Sequence, residues 1–252
     1  TYSWNRNEII ELAANAVNPV TGEPLNLNKL DIKGLGKAKY ILKEGGTLGD
    51  LYTTSDLRFN DNGYIEVDKN GNLLLTDEGD DIYLGSVFPD HNLAWRNDFS
   101  WKGINLGVLF TARLGGVCYS ATQANLDLYG VSEASAAARD AGGVVINGGD
   151  LVDANKWYTS VSGGNTVPQY YTYSATNVRL QEASIGYTIP RKVLGDLCEI
   201  TLSLVGRNLW MIYNKAPFDP ESIATTGNYY QGIDYFMMPS LRNVGFNLRL
   251  KF

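Results

Sequence analysis

The chain has 252 residues, of which 44% are hydrophobic and 12% aromatic, with 27 glycines and only 8 prolines. This composition is typical of an ordered, β-rich protein and excludes a disordered one. The formal net charge is −6 and no run of basic residues stands out, which argues against a nucleic-acid partner.

Membrane-spanning helices are excluded because no apolar run approaches the roughly 18 residues that such a helix needs. A β-barrel is not excluded, since its strands leave only a weak alternating pattern. The first residues show no positively charged stretch followed by an apolar one. We therefore expect that processing or truncation has removed a segment ahead of Thr1.

The first ninety residues give mixed signals. Residues 1–5 carry alternating aromatic side chains, as in the middle of a strand. Residues 7–16 predict a short helix or turn, and a polar connection follows to about Lys43. Residues 46–54 predict a weakly patterned strand. The stretch 56–90 is rich in Asp, Asn and Gly and predicts a long exposed loop that contains a small hairpin.

The clearest feature is a pair of alternating strands at residues 93–101 and 104–114. Only two residues separate them, and the second is Gly103. Glycine readily supplies the positive φ that a two-residue hairpin turn requires. In this hairpin Trp101 and Ile104 lie opposite each other on one face, and both are apolar. The pattern therefore predicts an antiparallel hairpin with a defined register.

Two further strands follow a second long loop. That loop covers residues 115–176 and contains a predicted small helix at 132–140. In the strand at 177–188 the apolar side chains change parity, which predicts a β-bulge near Glu182. The next predicted strand covers residues 199–209.

A third long loop, at residues 210–241, leads to the last strand at 244–252. Apolar and polar side chains alternate along this strand, and its nine residues span about 21 Å of height at a tilt of roughly 45°. Placing Arg249 or Lys251 in lipid would cost roughly 2–4 kcal/mol near the midplane. This cost specifies which face of the last strand meets lipid. The side chains predicted to face lipid are Phe110, Val244, Phe246, Leu248, Leu250 and Phe252.

The predicted connections differ in length between the two ends of the sheet. They have about 2 and 9 residues at one end and about 35, 61 and 31 at the other, an asymmetry typical of outer-membrane barrels. The long connection between residues 5 and 46 is an exception that falls at the short end. About seven strands are predicted, so strands outside this sequence must complete the sheet. The fold class predicted is all-β, an antiparallel transmembrane β-barrel segment with long extracellular loops.

Several motifs resemble SusC/RagA-type TonB-dependent outer-membrane transporters. Residues 84–116 are similar to strands in the middle of that family's barrel. Four ordered motifs are similar to its end: VRLQEASIGYTIP (178–190), SLVGRNLW (203–210), FDPES (218–222) and MPSLR (238–242). The resemblance covers residues 84–252 well and residues 1–50 loosely.

The resemblance implies a barrel of about 22 strands around an N-terminal plug. It also implies a SusD-like surface lipoprotein as a lid, energy delivered by TonB, and import of oligosaccharides or peptides across the outer membrane of a Gram-negative bacterium. Neither a plug nor a TonB box is recognisable here. Residues 1–252 are therefore expected to be the C-terminal third or so of the barrel, a multi-pass membrane segment.

Five arginines share the parity assigned to the lumen. They could form a cationic wall that contacts the plug or an anionic part of the substrate. Alternatively, each could pair with a nearby carboxylate and keep its charge out of lipid. These residues are Arg96, Arg113, Arg179, Arg207 and Arg249.

Seven aromatic residues lie on the long predicted loops. They could stack on sugar faces or on peptide side chains, or they could pack against a lid or a neighbouring loop. The sequence leaves both interpretations open. These candidate substrate-binding residues are Trp157, Tyr158, Tyr170, Tyr171, Tyr229, Tyr230 and Tyr235.

Candidate metal ligands are few. Asp219 and Glu221 could bind Ca²⁺, since hard cations take carboxylate oxygens, or they could brace the loop that carries them. The acidic residues at 77–81 suggest a solvated turn. His91 is the only histidine, which excludes most multi-histidine zinc sites.

No catalytic residue or cofactor site is predicted, since nothing suggests a nucleophile, histidine and acid brought together. Cys118 and Cys198 fall at opposite ends of the predicted strands, so no intrachain disulfide is expected. The predicted function is energised import. The alternative is a non-transporting surface protein that binds glycans or adheres through its external loops.

Overall fold

A computed structural model describes residues 1–13, 16–24, 27–76, 79, 81–163, 167–224 and 230–252. Antiparallel strands dominate the described residues. In chain order the elements are β1 (Tyr2–Trp4), β2 (Lys29–Leu35), β3 (Ala38–Lys43), β4 (Asp50–Thr53), β5 (Ile82–Ser86), β6 (His91–Trp101), β7 (Ile104–Leu114), β8 (Val117–Ser120), α1 (Ala121–Leu128), α2 (Glu133–Asp140), β9 (Val144–Ile146), β10 (Asp150–Val152), α3 (Ala154–Ser162), β11 (Thr172–Ser174), β12 (Asn177–Ile189), β13 (Glu199–Asn214), β14 (Ile233–Asp234) and β15 (Asn243–Lys251).

The main sheet consists of six strands in the order β1-β6-β7-β12-β13-β15. Every neighbouring pair in it is antiparallel. The predicted hairpin is confirmed, because Trp101 pairs with Ile104 in register. Lys102 and Gly103 both have positive φ, of 48° and 90°, as a primed two-residue turn requires.

The predicted bulge is also confirmed. The pairing of β12 with both β7 and β13 shifts between Leu180 and Glu182, so the apolar residues on either side of the shift reach the same face. Strand β13 is longer than predicted, because residues up to Asn214 continue to pair with β12. The third long connection therefore begins after Asn214.

One face of the main sheet is apolar and exposed. Register places Phe99, Leu106, Ile185, Leu204 and Phe246 in one continuous row across five strands. In β15, the exposed fractions are 81% for Phe246, 56% for Leu248 and 48% for Leu250. These side chains are therefore not packed inside a globule, and such a continuous apolar surface indicates an interface with a membrane or a partner.

Topology corrects the strand count and one connection. Strand β1 pairs with β6 so that Trp4 lies opposite His91, and residues 5–90 therefore form one long connection. It leaves the same end of the sheet as 115–176 and 215–242, whereas the short connections 102–103 and 190–198 lie at the other end. The predicted strand at 46–54 contains β4, which belongs to a separate four-stranded sheet. The main sheet has six of the described strands rather than about seven. The long connection that was expected at the short-connection end is therefore not formed, and the difference in connection length holds without exception.

The long connections are packed structures rather than loose loops. They contribute the sheets β2-β3-β4-β5 and β11-β8-β14, the pair β10-β9 and the three helices. We call this assembly the loop module. Its core contains Ala38, Tyr40, Leu51, Leu57, Leu73, Val87, Tyr119, Ala121, Ala124, Ile146, Val152, Trp157, Val161, Val167, Tyr171 and Ile233.

Local predictions in the loop module had mixed outcomes. The small helix is confirmed as α2, with the Ser132 side chain capping its N-terminus. Of the helix or turn predicted at 7–16, the helix is wrong for the described residues 7–13, where the backbone of Ile9 exchanges hydrogen bonds with Gly45 and Gly46. The turn is present at its end, where the Ala16 amide donates to the Ala13 carbonyl at 3.2 Å. The polar connection before Lys43 is wrong too, since it forms the hairpin β2-β3. None of the helices that the structure describes combines the length and the apolar composition of a membrane-spanning helix.

Candidate functional site

The other face of the main sheet carries a network of ion pairs, which we call the polar wall. Arg96 contacts Asp98 at 2.8 Å and Glu182 at 3.4 Å, and Arg207 contacts Glu182 at 3.0 Å. Both arginines are exposed. Solvent screens exposed pairs of this kind, so they contribute little to stability. The network therefore orders side chains on the wall more than it stabilises the sheet.

Two further predicted arginines lie on the same face. Arg113 is half-buried, and one of its terminal nitrogens donates to the carbonyl of Val87 at 3.0 Å, while its Nε has no partner among the described residues. Arg249 pairs in register with Thr201 and is exposed. Register therefore brings the predicted arginines to one face, as their parity suggests.

Arg179 differs from the others because it is buried, with a side chain only 3% exposed. It contacts Asp219 at 2.9 Å and Glu221 at 3.5 Å, and it also donates to Asn177 and Asn208. Glu221 and Asp219 lie on the third long connection, so the contacts tie that connection to β12. We call this cluster the arginine brace.

The two carboxylates that could have formed a cation site therefore already face a guanidinium. Burial alone would raise the pKa of Asp219, but hydrogen bonds from Ser240 and Arg179 outweigh it and the pKa is lowered. No group of three or more residues of metal-ligating type is found in the part of the chain that the structure describes. Of the acidic residues at 77–81, Asp81 accepts from Lys29 at 2.7 Å, while residues 77, 78 and 80 lie outside the described residues.

The remaining single residues have local roles. The Tyr2 hydroxyl and His91 Nδ1 are 3.0 Å apart at the edge of the main sheet, where their rings also stack. Cys118 is a buried free thiol in β8, and burial raises its pKa to about 12. Cys198 is a free thiol near the start of β13, at the short-connection end.

The candidate aromatic residues divide between core and surface. Trp157 and Tyr171 are only 8% and 3% exposed and belong to the core of the loop module. Their burial is packing against neighbouring parts of the long connections, one of the two interpretations that the sequence left open. Tyr158 is half-buried, Tyr170, Tyr230 and Tyr235 are exposed, and Tyr229 lies outside the described residues.

One polar residue that sequence reasoning missed lies beside these rings. Asp127 is on α1 and only 6% exposed. It accepts hydrogen bonds from the Tyr171 hydroxyl at 3.0 Å and from Gln123 Nε2 at 3.0 Å. A signal existed, because Ala121, Ala124 and Asp127 recur at a spacing of three and share the buried face of the helix.

A cavity of about 320 Å³ opens between α1, α3 and β11, and Asp127 contributes to its lining. Trp157 and Tyr170 meet edge to face in its wall, with ring centroids 5.5 Å apart. We call it the aromatic cavity. Its lining includes Gln123, Asp127, Trp157, Tyr158, Tyr170 and Tyr173.

Comparison with known proteins confirms the resemblance seen in the sequence. No family profile matches the chain. The chain is 24% identical over 287 residues to TonB-dependent receptor P3 of Formosa agariphila, and the match covers all of this chain and 26% of that receptor. The chain spans about a quarter of the length of this relative.

Two solved structures have a similar fold. One is the RagAB peptide importer in the closed-closed state, with a TM-score of 0.63 and 17% sequence identity. The other is the RagAB peptide transporter, with a TM-score of 0.58 and 18% identity. Each match covers all of this chain and 26% of the other chain. The chain therefore has the all-β, antiparallel fold of part of the RagAB chains.

Proposed function

We propose that residues 1–252 form part of the membrane-spanning wall of a TonB-dependent importer of oligosaccharides or peptides in the outer membrane. One observation carries the proposal. The main sheet has an exposed apolar face, an opposite polar face, and all of its long connections at one end. A strand between lipid and a filled lumen needs these two faces, and a water-soluble sandwich would cover the apolar one.

Aromatic residues at both ends of the apolar face support this placement. Trp101 and Tyr187 lie near the short connections, and Trp4, Trp95 and Trp210 lie toward the long ones. Trp4 pairs with His91 at the start of β6, and Trp101 ends that strand. The ten residue steps of β6 between them extend about 33 Å, or about 23 Å of height at a tilt of roughly 45°. That height is close to the apolar band between the two aromatic girdles of an outer-membrane barrel, about 25 Å.

The proposed mechanism is selective passage rather than covalent chemistry. The polar wall, with Arg96, Glu182 and Arg207, would face a plug inside the barrel. The loop module would lie at the cell surface, where it could contact cargo and a SusD-like lipoprotein. Strands β1 and β15 are the edges of the sheet, and in lipid their free backbone groups would pair with further strands of the same barrel. Energy would come from TonB.

Uptake by cells tests the proposal. Cells with an intact gene, with the gene deleted, and with TonB inactivated are given fluorescent peptides and oligosaccharides. We expect uptake of at least one cargo class that requires both the gene and TonB. Cargo binding at the surface with no TonB-dependent uptake would overturn the proposal and favour the non-transporting surface binder.

A further inference from the structure

Asp127 is a buried acid whose hydrogen-bond donors among the described residues are neutral. A Tyr171 hydroxyl and a Gln123 amide contact its two carboxylate oxygens. Among the described residues, no ion pair involves this carboxylate. Arg139 lies at a neighbouring cavity that Asp127 also lines, but its guanidinium donates to the Gly130 carbonyl and the Ser135 hydroxyl.

Buried charges in proteins are normally paired, because a lone ion loses its hydration without compensation. The field of Asp127 reaches the surrounding phenols. Burial, and then the negative charge of Asp127, raise the pKa of Tyr158 and raise that of Tyr173 to about 12. Among the described residues that line the aromatic cavity, Asp127 carries a carboxylate and none is a lysine or an arginine.

The aromatic walls of the cavity are also suited to a cationic ligand. The faces of Trp and Tyr rings carry negative partial charge and attract ammonium and guanidinium groups. Their flat apolar surfaces also pack against methylene chains. A cavity of about 320 Å³ lies at the lower end of the range for ligand sites, and suits a single side chain.

We propose that the aromatic cavity binds the side chain of a lysine or arginine in a peptide cargo, with the charged tip at the Asp127 carboxylate and the stem between the rings. Because Asp127 is only 6% exposed, a cation reaches it best at the end of a slim unbranched stem. An amino group attached directly to a sugar ring fits that access less well. This inference rests on the proposed function and specifies the cargo.

Binding to the purified full-length protein in detergent tests the inference. The probes are the tripeptide Ala-Lys-Ala, its norleucine analogue, which keeps a four-carbon stem without the ammonium, and a glucosamine disaccharide. The variants are Asp127→Asn, which keeps the shape and can still accept from Tyr171, and Tyr170→Leu at the exposed rim. Asp140→Asn, on the exposed end of α2, is the matched charge control.

We expect the wild-type protein to bind the lysine peptide about tenfold or more tightly than the norleucine peptide. Asp127→Asn should reduce this preference to less than about twofold, and Tyr170→Leu should reduce it about threefold. Asp140→Asn should leave it unchanged. Equal affinity of the wild type for both peptides, or a preference that survives Asp127→Asn, would overturn the inference. Asp127-dependent binding of the disaccharide in place of the peptide would overturn the peptide assignment.

Failure of this inference is distinguishable from failure of the proposed function. Binding in detergent needs no TonB, whereas uptake does. TonB-dependent uptake combined with no lysine preference would reject the aromatic cavity as a cation site and keep the transport proposal. Lysine-selective binding without any TonB-dependent uptake would keep the aromatic cavity as a cation site and reject the transport proposal.

Discussion

At the scale of single residues, burial separates two kinds of arginine on the polar face. Arg179 is enclosed with Asp219 in the arginine brace, whereas Arg207 makes one exposed contact with Glu182. Exposed pairs are screened by solvent and contribute little. Removing one partner of a buried pair leaves the other charge without compensation and costs about 3–5 kcal/mol. The same residue type therefore has different consequences at the two positions.

We expect Arg179→Met to release the connection 215–242 from β12, because Asp219 would be left buried and unpaired. The free energy that holds the connection closed should fall by about 3–5 kcal/mol, measured by hydrogen exchange within the connection. Arg207→Met is the matched control, with an expected change below about 1 kcal/mol. Equal protection in both variants would show that the brace does not hold the connection.

The brace should also respond to acid. The pKa of Asp219 is lowered in the folded protein, so its contribution is present above the ordinary carboxyl pKa of about 3.9 and is lost as pH falls through the lowered value. We expect protease cleavage of the connection to stay slow at pH 5 and to increase only below about pH 4. In the Asp219→Asn variant the protease should cleave the connection faster at pH 5, and the cleavage rate should depend less on pH. Opening between pH 5 and 7 would contradict this assignment.

At the scale of elements, the turn between β6 and β7 depends on Gly103. Its φ is 90°, and a Cβ there would lie 2.8 Å from the Thr188 carbonyl oxygen. We expect Gly103→Val to destabilise the hairpin by roughly 1–3 kcal/mol, measured as a lower urea midpoint for folding into lipid vesicles. Gly245→Ala in β15 is the control, since no atom lies within 4 Å of its added Cβ. An unchanged midpoint for Gly103→Val would show that the turn tolerates strain.

The elements that could be predicted are those with one face apolar and one polar. The hairpin, the bulge near Glu182 and the last strand all alternate, because a strand with different media on its two faces must do so. Strand β4 is buried at all four positions, so it offers no alternation, and only long-range pairing assigns it to its sheet. Asp127 was missed for a related reason, since its environment depends on the packing of α1 against α3.

At the scale of the whole molecule, the chain consists of the main sheet, which we propose crosses the membrane, and the packed loop module. Arginine near the midplane on a lipid face costs about 2–4 kcal/mol, while an arginine on the other face does not meet lipid. We expect Phe246→Arg to make the free energy of folding into vesicles less favourable by about 2–4 kcal/mol. The adjacent Asn247→Arg should change it by less than about 1 kcal/mol. Similar losses from both variants would contradict the assignment of faces.

The environment of the exposed apolar row decides whether the main sheet contacts hydrocarbon. Nitroxide spin labels are placed at Leu204 and Phe246, and at their neighbours Ser203 and Asn247, in the full-length protein in lipid vesicles. We predict that labels at Leu204 and Phe246 collide with dissolved oxygen and not with a water-soluble nickel chelate, whereas the neighbouring labels show no such preference for oxygen. Labels at Leu204 and Phe246 that are reached by the nickel chelate, or shielded from both reagents, would contradict contact with hydrocarbon.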